Sequence, residues 1–364
     1  MTNLQHTMAQ FINEIVWGDP ILPAVKIPEW EAEVKADLGF LPDILTRVSR
    51  SPWLRKICLK WTRVPVKEFS RRLADIATLV VAQENGCRYC YGVARSQLRL
   101  FGYSEKLINS IEQEMHLAEL DEKDRTFIRF CRNLSRSNPR PPKADRDKLI
   151  RLGFSPLAVS EMAFLIVNHC LLNRVATFLS CPLGNIFGQL EKSFWGKFLR
   201  PLVARKIRRQ AWTDIAPLPE GKPSFSGLVQ ILGELPVASL LHEALEGAFA
   251  SKVLSPELKI LMFAVVARSL ECPFCQAETQ QMAYKLGLKE KEFEAALSSL
   301  TSPRLNEQES KIFTWTRETV HFETGAMQSR IAELAKEVEE EVLLEAIGLA
   351  ALANSTVRLA VLLV

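Results

Sequence analysis

The chain has 364 residues, of which 48% are hydrophobic and 24% are charged, a balance typical of a folded globular protein and not of a disordered one. The formal net charge of +4 is too small to indicate a nucleic-acid partner, and none is predicted. The eight cysteines do not follow an N-terminus with the basic start and apolar run of a signal peptide, which argues against a secreted disulfide framework. We therefore predict a cytoplasmic protein.

The first half of the chain is predicted to be entirely helical. Apolar residues recur at steps of three and four, and no segment alternates with period two. In chain order, helices are predicted over residues 29–38, from 41 to about 62, from 66 to a first cysteine pair, from that pair to 100, and over 104–115, 122–134, 145–152 and 155–178. A proline-rich loop at residues 139–142 separates two of them.

Two Cys-x-x-Cys pairs organise the sequence. Cys87 and Cys90 form the first pair, and Cys272 and Cys275 form the second, 185 residues later. Each pair follows an apolar run and precedes a polar helical pattern, and the later helices repeat in the same order. This repetition predicts an internal duplication. The predicted units are residues 1–185, a linker over 186–224, and a shorter, more divergent repeat over 225–364.

Three segments raise the question of a membrane. Residues 159–180 and 342–364 are apolar for about the length of a spanning helix. Both contain charged or amide side chains and occupy equivalent places in the two repeats, which favours buried core helices. The segment 190–212 is basic with interleaved aromatic residues, so it is predicted either to contact a membrane surface or a protein partner, or to form a solvated linker helix, which we favour.

The spacing of each cysteine pair suits thiol chemistry. Cysteines at i and i+3 at a helix start lie close enough to form a disulfide, and the helix N-terminus stabilises a thiolate. Two pairs could also supply four thiolates to zinc, but their separation is unlike a zinc-ribbon pattern, so no metal or other cofactor is predicted. The remaining cysteines lie in apolar helical contexts and are predicted to be core residues: Cys58, Cys131, Cys170 and Cys181.

The apolar helix, the Cys-x-x-Cys pair that opens the next helix, and the later run Asn173-Arg174-Val175-Ala176 resemble the alkylhydroperoxidase-D-like (carboxymuconolactone decarboxylase) superfamily. The resemblance covers nearly the whole chain as two tandem copies. It implies an all-α fold of duplicated helical domains that assemble as a homo-oligomer. In the redox members of this superfamily the second cysteine attacks the substrate, a glutamate lies about a dozen residues before the pair, and a histidine follows it.

Carried over to the first copy, the resemblance assigns Cys90 as the attacking thiol and Cys87 as the resolving one. Asp75 falls at the glutamate position as a shorter carboxylate, and Val93 or Ala94 stands at the histidine position. In the second copy the candidates are Cys272, Cys275 and Glu278. There Ile260 replaces the carboxylate, and Glu278 or Thr279 stands in place of the histidine.

The surroundings of the two pairs predict different reactivities. Arg88 and Arg95 are expected to lower the pKa of the first pair, whereas Glu271 and Glu278 are expected to raise the pKa of the second. The first pair is therefore predicted to be the more reactive, and the second to be weak or structural. His169 is interpreted as a core histidine, with a displaced proton relay as the alternative.

The function that this pattern predicts is a thiol-dependent, peroxidase-like oxidoreductase. Its substrate would be a hydroperoxide or a disulfide, and a thioredoxin-like protein or another dithiol would restore the thiols. An alternative from another class is a non-catalytic scaffold or partner-binding protein whose cysteines are remnants, as the missing histidines suggest. A further alternative is decarboxylase or isomerase chemistry of the carboxymuconolactone type, against which the retained cysteine pairs count.

Overall fold

The structure, a computed structural model, describes residues 8–113, 120–136, 143–184, 201–205, 207 and 224–364. Within these ranges the regular secondary structure is helical and contains no β-strand, which confirms the all-α prediction. The predicted end of a helix at 115, the loop at 139–142, most of the basic segment 190–212 and most of the linker 186–224 lie outside the described residues.

Eighteen helices with described bounds follow one another along the chain. Those of the first half are α1 (Met8–Glu14), α2 (Pro28–Leu38), α3 (Asp43–Arg47), α4 (Pro52–Trp61), α5 (Arg71–Glu84), α6 (Arg88–Leu100), α7 (Glu105–Glu112), α8 (Glu122–Ser135), α9 (Lys143–Arg151) and α10 (Pro156–Phe178). Those of the second half are α11 (Ser226–Ile231), α12 (Pro236–Ala250), α13 (Pro256–Ser269), α14 (Pro273–Lys285), α15 (Glu290–Ser299), α16 (Glu307–Glu318), α17 (Thr324–Leu334) and α18 (Glu340–Leu363).

Serine residues define where several of these helices begin. Ser70, Ser155 and Ser255 are the N-caps of α5, α10 and α13, and each side chain accepts the backbone N–H three residues later. In α10 and α13 a proline follows the serine at the first helical position, where its missing N–H costs nothing. The start of each helix is thus set by local sequence.

The long apolar helices α10 and α18 form the centre of the molecule and pack extensively against each other. By length and composition each could cross a membrane, but 78% of the most apolar stretch of α10 and all of that stretch of α18 are buried inside the protein. A helix that is apolar on all sides is typical of a core element. The buried side chains around this pair form one continuous hydrophobic core to which both halves contribute.

The helices around the two central ones are arranged in the same way in each half. α5 packs against α6, α8 and α10, and α13 packs against α14, α16 and α18. The halves differ before their cysteines: in the described residues α1 to α4 precede α5, whereas α11 and α12 precede α13, and α12 packs against α4. Each cysteine pair therefore lies beside a central helix.

Candidate active site

The first cysteine pair lies at the junction of α5 and α6. Gly86 makes the turn between them in the left-handed region at φ +60°, where an added Cβ would lie 2.7 Å from Thr324 Oγ1. Cys87 is the N-cap of α6, and its sulfur accepts the backbone N–H of Cys90 at 3.2 Å. The two cysteines form a disulfide, with their Cα atoms 5.3 Å apart. The pair thus occupies the helix N-terminus that the sequence predicts.

The two cysteines differ in their exposure. Cys87 is completely buried, whereas Cys90 is only half-buried and forms part of the wall of a cavity of about 140 Å³. The other residues that line this cavity are mostly apolar: Leu38, Phe40, Pro42, Ile44, Thr62, Arg63, Thr78, Tyr89, Val93, Gln97, His169, Leu172, Asn173 and Ile207. A ligand in the cavity would meet the sulfur of Cys90 and not that of Cys87.

His169, from the central helix α10, lines the same cavity as Cys90. Its Nε2 lies 3.2 Å from the hydroxyl oxygen of Thr78, and that hydroxyl donates to the carbonyl of Ala74 at 3.2 Å. The Thr78 hydroxyl thus lies between the imidazole and the backbone of α5 and fixes the orientation of the His169 ring. Burial, with a smaller contribution from the charge of Arg71, lowers the pKa of His169 to about 4. The imidazole is therefore neutral at pH 7.

Asp75, the predicted acid–base residue, is buried but is not among the residues that line the cavity. Its carboxylate accepts a hydrogen bond from the Tyr103 hydroxyl at 3.0 Å and pairs with the guanidinium of Arg71, with Nε and Oδ1 3.4 Å apart. Asp75 thus sits one turn before Thr78 on α5, behind the wall of the cavity. The Asp75 carboxylate pairs with Arg71, and the charge of Arg71 contributes to the lowered pKa of His169.

The arginines expected to activate the first pair point elsewhere. Arg88 donates to the backbone carbonyl of Ile15 at 2.8 Å, and Arg95 forms an ion pair with Glu112 at 3.0 Å. Among the described residues that line the cavity, the guanidinium is that of Arg63, which is buried and paired with Asp37. The sequence around Arg63 gives no sign that this arginine lines the cavity, because its place there depends on how α4 packs against the other helices.

The second cysteine pair has the same local geometry in a closed environment. Cys272 is the N-cap of α14, and its sulfur accepts the N–H of Cys275 at 3.4 Å. Glu271, at the place of Gly86, adopts a left-handed φ of 51°. Neither cysteine forms a disulfide, and both are buried. The pKa of Cys275 is raised far above its usual range, chiefly by burial, then by Cys272, and least by Glu278.

Aromatic side chains occupy the region beside the second pair. In the register that matches the two cysteine pairs, Phe263 stands at the position of Thr78. Its ring centroid lies 5.2 Å from that of Phe225 and 5.3 Å from that of Phe249. In the register that matches Asn173 with Asn354, Ala350 stands at the position of His169. The second pair thus has a packed aromatic cluster where the first has a hydroxyl and an imidazole.

Glu278, the remaining second-repeat candidate, has a structural contact. Its carboxylate accepts the backbone N–H of Phe225 at 3.1 Å and so fixes the start of α11 against α14. Phe225 is itself fully buried. The carboxylate therefore helps to close the second pair from solvent.

The four other cysteines are free and fully buried, as the sequence predicts. Burial raises the pKa of Cys58 to about 12, and it also raises the pKa values of Cys131 and Cys181. In the part of the chain that the structure describes, no three His, Cys, Asp or Glu side chains are grouped so that they could hold a metal ion.

Compared with protein families, curated proteins and solved structures, the chain gives no significant match. The geometry of the first cysteine pair is therefore the basis for assigning a function.

Proposed function

We propose that the protein is a thiol-dependent oxidoreductase in which Cys87 and Cys90 reduce hydroperoxides or exchange disulfides. One observation carries this proposal: the half-buried Cys90 and the neutral His169 line the same cavity, while Cys87 lies buried one helical turn away within disulfide distance. A nucleophile, a proton carrier and a resolving thiol are the groups that such chemistry needs.

The first step is attack by Cys90 on the hydroperoxide. The neutral imidazole of His169 takes the thiol proton, and the Cys90 sulfur attacks the terminal peroxide oxygen. The O–O bond breaks, Cys90 becomes a sulfenic acid that keeps the terminal hydroxyl, and the alkoxide leaves with the proton from His169 as an alcohol. Because burial lowers the pKa of His169 to about 4, the imidazole takes the thiol proton only in concert with the attack on the peroxide, and it then gives that proton up readily to the alkoxide.

The second step forms the disulfide seen in the structure. The Cys87 thiol attacks the Cys90 sulfenic acid and releases water, and an S–S bond forms between the two sulfurs. An external dithiol, such as a thioredoxin-like protein, then reduces this bond and is itself oxidised to a disulfide. Cys90 is the sulfur that such a reductant would reach, because Cys87 is fully buried.

In this proposal the proton carrier comes from a different helix from the one the resemblance implies. The superfamily histidine would follow the second cysteine on α6, where Val93 and Ala94 stand, whereas His169 reaches the cavity from α10. Asp75 becomes a positioning residue, since it holds Arg71 and Tyr103 and does not face the cavity.

We also propose that the chain is a tandem alkylhydroperoxidase-D-like protein. The matching order of α5 to α10 and α13 to α18, together with the matching contacts of α5 and α13, supports a duplication. This proposal also includes two predictions made from the sequence, a homo-oligomeric state and a cytoplasmic location. For residues 190–212 it keeps a solvated linker helix as the favoured interpretation, with a membrane or partner contact as the alternative.

In this proposal the second half is not catalytic and holds the first half in place, as the scaffold alternative assumes for the whole chain. Thr324, the first residue of α17, donates to the backbone carbonyl of Asn85 at 3.0 Å and so holds the turn before Cys87. Gln328, one turn later, donates to the carbonyl of Thr177 at the end of α10. The closed second pair therefore belongs to a half that positions the first.

The experiment is to follow peroxide-dependent disulfide formation by mass spectrometry after reduction of the full-length protein. The wild type is expected to form the Cys87–Cys90 bond within seconds of adding an organic hydroperoxide. His169→Ala is expected to slow this step by about 10²-fold or more, since that is the usual contribution of general acid–base catalysis.

His321→Ala serves as a control, since it removes an exposed imidazole that does not line the cavity. It is expected to leave the rate at the first pair unchanged. Slow oxidation spread over all eight cysteines of the wild type would contradict the proposal and favour the scaffold.

A further inference from the structure

Each of the two central helices buries an arginine. Arg174 on α10 and Arg358 on α18 have no solvent exposure, and they are among the largest fully buried side chains of the protein. Guanidinium groups remain charged in proteins, and a buried charge is stable only when it is paired or well hydrogen-bonded. Two such charges at the helix pair that joins the halves therefore require compensation.

The two guanidinium groups lie against the same short segment between α16 and α17. Arg358 donates through Nη2 to the carbonyl of Val320 at 3.3 Å and through Nη1 to the carbonyl of Arg136. Cζ of Arg174 lies 4.8 Å from the ring centroid of Phe322. Since Val320 and Phe322 are two residues apart, the arginines are neighbours in the core.

The hydrogen-bonding capacity of these arginines is largely unused. Among the described residues, none of the three side-chain nitrogens of Arg174 has an oxygen acceptor, and the Cys170 sulfur is the group within hydrogen-bonding reach; Nε of Arg358 also lacks an acceptor. No carboxylate in this described part of the chain forms an ion pair with either guanidinium. The buried hydroxyls of Thr177 and Ser355, one turn away on the same helices, also lack a partner in the described structure. Apart from the weakly accepting sulfur of Cys170, the guanidinium donors of this cluster exceed the acceptors beside them.

The electrostatic environment agrees with this geometry. Burial lowers the pKa of Arg174, and burial together with the charge of Arg174 lowers the pKa of Arg358 to about 9. The thiol of Cys170 lies beside both groups. A negative charge between the two guanidiniums would offset their mutual repulsion and satisfy their free N–H groups.

We propose that Arg174 and Arg358 bind a small inorganic anion of about the size of chloride between α10 and α18. A compact monatomic ion suits the site, because both side chains are closed to solvent and offer N–H groups from two directions. The bound ion would tie the helix that carries His169 to the central helix of the second half. This inference does not depend on the proposed thiol chemistry.

The test is the thermal stability of the full-length protein in buffers of constant ionic strength, with sodium gluconate replaced by sodium chloride or sodium bromide. The wild type is expected to gain stability in proportion to the logarithm of halide concentration, by roughly 2 °C for each tenfold rise in halide above the dissociation constant. Arg174→Met and Arg358→Met should abolish this dependence. Arg330→Met, at an exposed arginine paired with Glu318, should keep it.

A second measurement applies even if the arginine variants do not fold. In bromide-soaked crystals of the wild type, the anomalous signal is expected to place a bromide within hydrogen-bonding distance of both guanidiniums. The proposal is overturned if wild-type stability does not depend on halide, or if Arg174→Met and Arg358→Met gain as much stability from halide as the wild type does. It is also overturned if halide dependence appears only in Cys170→Ala, which would make the Cys170 thiolate the native counterion.

Discussion

The two cysteine pairs of this protein share a backbone and differ in almost everything that bears on reactivity. In both, the first cysteine caps a helix and its sulfur accepts the N–H of the second. Cys90 opens onto a cavity with a neutral imidazole, whereas Cys275 is sealed and the pKa of its thiol is raised. A Cys-x-x-Cys motif at a helix start is therefore not sufficient for a reactive site, because access and a proton carrier come from other helices.

The difference can be traced to a few positions. Thr78 and His169 in the first half correspond to Phe263 and Ala350 in the second. Phe263 packs with Phe225 and Phe249 where the first half has a hydroxyl, and Ala350 has a methyl group where the first half has an imidazole. Substitutions at and around these positions test whether they explain the contrast.

The largest effect is expected from matched substitutions of the second cysteine in each pair. Cys90→Ser should reduce hydroperoxide turnover by at least about 10³-fold, because it removes the nucleophile, whereas Cys275→Ser should change the rate less than twofold. Steady-state turnover with an organic hydroperoxide and a dithiol reductant measures both. Equal losses of turnover in Cys90→Ser and Cys275→Ser would show that both cysteine pairs take part in the reaction. The two pairs would then not differ in reactivity.

Opening the closed pair should cost stability. Phe263→Ala is expected to lower the free energy of unfolding by about 3–5 kcal/mol, since it empties the centre of a buried aromatic cluster. It should also make Cys275 accessible to iodoacetamide. Chemical denaturation and mass spectrometry give the two readouts, with Thr78→Ala as the matched change in the first half, where a small loss is expected. A loss below about 1 kcal/mol for Phe263→Ala would mean that the ring does not fill this site.

The imidazole of the first site predicts a pH dependence of stability. The pKa of His169 is about 4 in the folded protein and 6.5 when unperturbed, so below pH 6.5 the unfolded chain binds a proton that the folded chain does not. Stability should therefore fall as the pH drops from 6.5 to 4, by up to about 3 kcal/mol from this residue.

His169→Ala, which reproduces the second half, should remove this part of the pH dependence. His321→Gln, at an exposed histidine, should leave it in place. Urea denaturation at a series of pH values measures the change. If the free energy of unfolding depends on pH in His169→Ala as it does in the wild type, the imidazole is solvated and not buried in the cavity wall.

A smaller effect is expected at the turns before the cysteines. Gly86→Ala should cost about 1–3 kcal/mol, since the residue has a positive φ and its Cβ would meet Thr324 Oγ1. Gly102→Ala, at a positive φ with open space around its Cβ, isolates the backbone contribution and should cost less. Thermal unfolding compares the two. If both variants lose the same stability, the contact between the second half and the cysteine turn is not tight.

The helical pattern of the sequence was sufficient to locate most of the fold. The predicted helices at 29–38 and 155–178 lie within a residue of α2 and α10, because serine caps, prolines and a regular apolar period are local signals. The burial of α10 and α18 also followed from the sequence, since each is apolar on every side but contains charged residues. The cysteine pairs were found at helix starts by the same local reasoning.

The composition of the site was decided by tertiary structure. His169 lies 79 residues after Cys90 and Arg63 lies 27 residues before it, so no spacing rule connects them to the thiol. Asp75 had the right spacing but faces Tyr103 and Arg71, and Arg88 and Arg95 are close in sequence yet bind Ile15 and Glu112. The sequence determined where each helix begins and ends and which of its residues are apolar, because helix caps and the apolar period are local features. The packing of α4, α5, α6 and α10 decided which side chains share one cavity.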